Sequence, residues 1–373
     1  MTWAAPLLAL LLGLAADDAA AQLRYLGQQI VATGTRFQDT EIGGLSGLDF
    51  DPRTGSYYAI SDDRSRDARF YLLALDLSKF NRALGPGMAG VHFTAVHTLL
   101  DVDGRRFEGR SADPEAIRLH PTTRTLVWTS EGDPRRDIAP FVREMNADGT
   151  PVRAFPVPQQ FLLESGKAAG VRNNLAFESV AVTPSGAHVL AATENALAQD
   201  GPVASRRSTS DCRVVAFDHA SSDVLGQYVY RVDPVVAPSI VPNGLETNGL
   251  ADLIAVQEDS FIAVERSFSA GSRLSIRLYL THTAGATDVS ALDSLRGAAF
   301  TPMPKRLLLD LSVLTNDDGS ALWLDNIEAV SFGPVLPNGN RTLVLVSDNN
   351  FKASQQTQFL AFEITQALNE APF

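Results

Sequence analysis

The chain has 373 residues, 45% hydrophobic and 20% charged, a balance that excludes a disordered or fibrous polypeptide and suffices for one large or two medium cores. Its formal charge of −12 sets the surface against nucleic acid and anionic lipid. Cys212 is the only cysteine, which excludes an internal disulfide, and the six histidines are scattered without the paired spacing of a zinc centre.

The first element is a leader. An apolar run from Ala4 to Ala16 precedes Ala19-Ala20-Ala21, the pattern of a secretory signal peptide spanning residues 1–21. The run is shorter than the roughly 20 apolar residues of a membrane span. Asp17 and Asp18 interrupt its end, and no Lys or Arg precedes it. The expectation is a periplasmic or secreted protein without a span after cleavage. Residues 22–373 contain no linker-like Pro, Gly or Ser tract and read as a single domain that is expected to be a monomer.

RYLGQQIVATGTRF, from Arg24, is strand-like but has no partner of its own. One pattern is then written five times, a short apolar strand headed by an acid, a turn, and a second apolar strand ending in an acid. It reads LSGLDFDPRTGSYYAISDD from Leu45, PEAIRLHPTTRTLVWTSEGD from Pro114 and FESVAVTPSGAHVLAATEN from Phe177. ADLIAVQEDSFIAVERS from Ala251 and IEAVSFGPVLPNGNRTLVLVSDNN from Ile327 complete the series. Each unit is a β-hairpin signal followed by further strand-like runs, such as FYLLALDL and VHFTAVHTLL in the first. Four strands per unit predict an all-β propeller of four-stranded antiparallel blades. Five blades are readable, with room for a degenerate sixth between Arg273 and Trp323. The N-terminal strand is expected to complete the last blade, which removes the exposed edges.

The phase of the acids favours a propeller over a pair of β-sandwiches. Ser46 to Asp62, Glu115 to Glu131 and Glu178 to Glu194 are each 16 residues apart, a regularity that sandwiches have no reason to keep. Inner strands line a propeller's channel, and a hairpin returns the end of its second strand beside the start of its first. Glu115, Glu178, Asp252 and Glu328 are therefore expected at one channel mouth with Asp62, Asp63, Glu131, Glu194, Glu265 and Asp348. Asn349, beside Asp348, adds an amide oxygen. So many carboxylates raise one another's pKa and need neutralising. Hard divalent cations, the arginines Arg64, Arg66, Arg118 and Arg266, or protonation of one member are three ways to do so. Neither a G-x-S-x-G elbow, a P-loop, a dinucleotide fingerprint nor an R-H-G-x-R-x-P string is present.

The strings D-P-E-A-I with V-W-T-S-E-G, F-E-S-V-A-V-T-P with A-A-T-E-N, and I-E-A-V with L-V-S-D-N-N resemble the phytase-like family of secreted bacterial proteins, described as having esterase-like activity related to phytase. The resemblance runs from about Gly43 to Ile364. It implies a propeller fold, a phosphoester or carboxylester hydrolase, and functional positions at Glu115, Glu131, Glu178, Glu194, Glu328, Asp348 and Asn349. Ser46 departs from the pattern, where an acid would complete the ring. The resulting expectation is a Ca2+-dependent, or other divalent-dependent, hydrolase of a small ester or phosphoester. Asp62, Asp63, Glu115, Glu131, Glu194, Asp252, Glu265, Glu328, Asp348 and Asn349 are its candidate metal ligands, Glu178 its general base and Arg266 its anion-steadying cation. Two other readings stand beside it, a metal-dependent lactonase and a non-catalytic, Ca2+-stabilised binding or scaffold propeller.

Overall fold

The computed structural model describes residues 22–366 and 368, apart from 66, 84, 86 and 164–168. The leader and Arg66 lie outside the described residues. Five four-stranded antiparallel sheets form the blades of a propeller. Blade 1 comprises Leu45–Asp51, Ser56–Ser61, Arg69–Leu75 and Val91–Thr98. Blade 2 comprises Pro114–Leu119, Leu126–Ser130, Phe141–Met145 and Pro151–Phe155. Blade 3 comprises Phe177–Val182, His188–Thr193, Ser210–Asp218 and Val224–Val232. Blade 4 comprises Glu246–Ala255, Ser260–Ser269, Ser275–His282 and Lys305–Asp310. Blade 5 takes Ile327–Gly333, Thr342–Ser347 and Gln356–Ile364 from the C-terminal part and Leu23–Ala32 from the N-terminal part.

That last pairing, Leu23 to Ile364 through Ala32 to Gln356, closes the ring as expected. Residues 273–323 supply two strands and the connections of blade 4, and no sixth four-stranded sheet is formed among the described residues, the remaining sheet being the two-stranded pair Arg36–Phe37 and Thr40–Glu41.

The strands carry nearly continuous apolar runs because both faces of each blade are covered. In the second strand of blade 1, Tyr57 and Ala59 join the core shared with blade 5, whereas Tyr58 and Ile60 join the core shared with blade 2. The two-residue period of the strand thus sends alternate side chains to opposite neighbours. Blade 4 repeats this, with Phe261 and Ala263 toward blade 3 and Ile262 and Val264 toward blade 5. A fifth such layer, built around Val127, Phe155, Phe177 and Phe217, joins blades 2 and 3. The apolar mass therefore lies between blades and leaves the axis to polar side chains.

Candidate functional site

At the head of every inner strand the ladder gains one residue. The irregularities fall at Ser46, at Glu115 with Ala116, at Glu178, at Ala251 and at Glu328. A β-bulge re-aims the side chain it carries. Here the same bulge, repeated five times, presents Ser46, Glu115, Glu178 and Glu328 at one end of the channel. The returning strand ends opposite, and the residue after its last common partner is Asp62, Glu131, Glu194 or Asp348.

Blade 4 departs from the sequence register. Its bulge is Ala251, and Glu265 pairs with Leu250 where the other blades place Ser61, Ser130, Thr193 and Ser347. Arg266, not Glu265, therefore takes the position of the trailing acid. A shift of one residue turns a strand side chain to the opposite face. Asp252 and Glu265 are accordingly corrected out of the acidic ring. Asp252 is fully buried in the channel, where Arg118 Nη2 lies 2.7 Å from both its oxygens and the amides of Leu253 and Val330 donate to it. Arg118 also donates to the Leu48 carbonyl, so the pair ties blades 1, 2, 4 and 5 across the axis. Glu265 accepts from Tyr230 Oη at 2.9 Å and Asn248 Nδ2 at 3.0 Å, and pairs with Lys305.

Two further candidates have structural partners. Asp63 pairs with Arg69 and accepts the Ser65 amide, which holds its carboxyl below the usual range despite partial burial. Asn349 Oδ1 accepts the Gly44 and Phe351 amides at 3.1 and 3.0 Å, and its Nδ2 donates to Thr33, fastening the last blade to the first.

The remaining acids converge. One oxygen from each of Asp113, Glu115 and Glu131 lies within 4.8 Å of the other two. Asp113 is a site residue outside the expected ring and stands two residues before the bulge, in the D-P-E string. The equivalent positions are Gly44, Ala176, Gly249 and Asn326, so only the second unit signals it by a charge. Trailing side chains reach to the next blade at this point. Glu131 Oε1 accepts the Ala176 amide at 2.5 Å, and Glu194 packs so closely on Gly249 that a Cβ there would stand 2.2 Å from its Oε1. Arg266 Nη2 lies 3.3 Å from Glu194 Oε1 and 3.4 Å from Glu328 Oε1.

Burial raises the pKa of this whole group, and mutual repulsion raises it further. Glu115 is pushed well above its usual value by desolvation and then by Glu178, Asp113 and Glu131. Glu131, Glu178, Asp62 and Asp348 behave alike. Asp113 is moved to about 6 by burial, against the opposing pull of Arg64, whose Nε is 2.6 Å away. Glu194 is moved to about 7 by burial, against Arg266. Desolvation disfavours the charge of Arg266, but Glu328, Glu194, Glu178 and Asp348 outweigh it and keep the guanidinium protonated.

Asp62 Oδ1, Glu178 Oε2 and Arg266 Nε are buried without a hydrogen-bond partner. An all-oxygen set of crowded carboxylates with orphaned oxygens beside it is the donor chemistry of a hard divalent cation. Asp113, Glu115 and Glu131 fit such an ion.

At Glu194, Arg266 and Glu328 opens a cavity of about 830 Å³ lined also by Phe268, Trp323 and Lys352, among others. Trp323 and Phe268 were not recognisable as site residues, because the one lies on a connection between blades and the other continues an ordinary strand pattern. No helix among the described residues is long and apolar enough to cross a membrane.

Among solved structures, the Dos1 propeller matches with a TM-score of 0.36 at 8% identity, over 86% of this chain and 68% of that one. The β-propeller domain of Myceliophteria thermophila Cps50 (Swd1) matches with a TM-score of 0.36 at 11% identity, over 87% and 84%. The tail fiber of Staphylococcus aureus phage P68 matches with a TM-score of 0.39 at 9% identity, over 95% and 54%. No match is found among curated proteins. The model of the phytase-like family, described as esterase-like activity of phytase, matches residues 40–351, a span that contains every inner strand and every acid of the mouth, and the chain belongs to that family.

Proposed function

We propose that the protein is a periplasmic or secreted hydrolase that cleaves a phosphoester, or another small ester, at the acidic mouth with the help of a divalent cation. The observation that carries this reading is the convergence of Asp113, Glu115 and Glu131 within 4.8 Å, with the orphaned Glu178 acting on Glu115. Asp113, Glu115 and Glu131 would hold the ion, with Ca2+ the first candidate. When bound, such an ion supplies positive charge that polarises the ester and acidifies water.

Glu178 supplies the base. Its Oε2 has no hydrogen-bond partner, and burial followed by Glu131, Glu194 and Glu328 raises its pKa, which makes its ionised form the stronger proton acceptor. Water oxygen attacks the ester centre, Glu178 Oε2 takes the proton, and the ester oxygen leaves with its bonding electrons. Arg266 is held in place by Glu194 and Glu328 while its unpartnered Nε–H is left to donate to the developing anion.

The test uses purified full chain with aryl phosphate, aryl acetate and lactone panels, with Ca2+ or Mg2+ and with chelator. Divalent-dependent phosphate or acetate turnover is expected, and Glu178→Gln should lower kcat by roughly 100-fold or more. Turnover confined to lactones would replace the reading by a lactonase. Chelator-sensitive melting without any turnover would replace it by a scaffold.

A further inference from the structure

The cavity beside the acids has walls that a polyphosphate does not need. Its lining includes Val203, Leu245, Phe268, Leu274, Leu322 and Trp323. Trp323 leaves 62% of its surface exposed and Leu245 65%, so large apolar groups are held in water at the entrance of a concave site. The charges of the lining do not favour a polyanion either. Glu194, Glu246, Asp325 and Glu328 face Arg266, Arg273 and Lys352, four acids against three bases. Arg266 is already shared between Glu194 and Glu328. Lys352 acts on Asp348 and Glu328, and Arg273 is exposed.

We infer that this cavity selects a phosphate monoester of a ring-sized apolar alcohol, its single anionic head toward Arg266 and its body against Trp323, Phe268 and Leu245. The inference rests on the hydrolase reading above for the phosphate, and on the cavity alone for the apolar body. A volume of about 830 Å³ is large for a bare phosphate ester of methanol and is within the range of sites for drug-sized molecules. An indole as exposed as Trp323 on the wall of a concave site gains by stacking on an apolar ring. A highly phosphorylated substrate would bring several negative charges against Glu194, Glu246, Asp325 and Glu328 and leave the apolar wall uncovered.

Binding separates this idea from catalysis. Trp128 is 1% exposed within the core of blades 1 and 2, so among the described residues Trp323 is the tryptophan that reports on the cavity. Phenylphosphonate and methylphosphonate, which carry no ester bond, and inositol hexakisphosphate are titrated against the full chain with Ca2+ present while tryptophan fluorescence is followed. Phenylphosphonate is expected to bind at least about 10-fold more tightly than methylphosphonate, a preference lost in Trp323→Ala and largely restored in Trp323→Phe. Calorimetry replaces fluorescence for the two variants. Equal or tighter binding of methylphosphonate or inositol hexakisphosphate overturns the inference, as does an unchanged preference in Trp323→Ala or no binding of any probe. Tight phenylphosphonate binding without ester turnover would leave the inference standing and remove the hydrolase reading instead.

Discussion

Replacing Arg118 by Met tests whether the axial ion pair holds the ring together. Arg118 donates to both oxygens of Asp252 at 2.7 Å, to the carbonyls of Leu48 and Ile117 at 2.9 and 2.8 Å, and to that of Leu253 at 3.2 Å. Even with this partner, burial moves the Asp252 pKa from 3.8 to about 6. At about 1.4 kcal/mol per tenfold change, that shift corresponds to about 3 kcal/mol. The sign follows from the proton balance: the folded state binds the proton more tightly than the unfolded chain, so this stabilisation is full below pH 4 and lost as pH rises through 6. Without Arg118 the pKa climbs further and an uncompensated charge stays buried, which costs about 3–5 kcal/mol near pH 7.5. Urea unfolding should show that loss at pH 7.5, shrinking by at least half at pH 4.5, where Asp252 is protonated. Arg118→Met with Asp252→Asn should recover more than half of it. A loss below about 1 kcal/mol, or one that does not change with pH, would refute the reasoning.

Other expectations concern closure, register and the metal. Glu363 accepts from Asn338, Asn340 and Arg24, and these hydrogen bonds bring its pKa down to about 2. Its contribution is therefore present above the unfolded value of 4.5 and lost as pH falls through 2, so the melting temperatures of wild type and Glu363→Gln should differ at pH 7 and converge near pH 2. Gly249→Ala would push a Cβ against Glu194 at 2.2 Å. It should destabilise by about 1–3 kcal/mol in urea unfolding and lower ester turnover by displacing the Arg266 partner. Asp113→Asn should abolish the stabilisation on adding Ca2+, read as a rise in melting temperature, which in the wild type amounts to about 2.7 kcal/mol at 100 times the dissociation constant. A retained Ca2+ response in that variant would place the ion elsewhere.

The repeat was legible because each blade must satisfy two neighbours at once, and that demand writes an apolar hairpin with a turn in every unit. Tyr57 through Ile60 show it within one strand, with alternate side chains in two cores. Five blades and the closing N-terminal strand were readable from the same count of strands, and the structure excluded the sixth that residues 273–323 left open by giving them to blade 4. The acids of blades 2, 3 and 5 were legible for a related reason, since the bulge fixes which trailing position faces each leading one, 16 residues on in blades 2 and 3 and 20 in blade 5 with its longer turn. Blade 4 defeated that phase. Asp252 and Glu265 look like the expected acids in a string, but the bulge falls on Ala251, and a one-residue difference in pairing is invisible until the strands are laid side by side. Asp113 was hidden because its equivalents are Gly44, Ala176, Gly249 and Asn326, which share a place in space and no chemistry. Local sequence thus determined the blades, their closure and the supply of carboxylates, because strand period and hairpin geometry act over a few residues. Only the tertiary structure decided which acids meet, which are bound to Arg118 or Lys305, and that Trp323 walls the cavity, because those outcomes depend on register and on contacts between blades far apart in the chain.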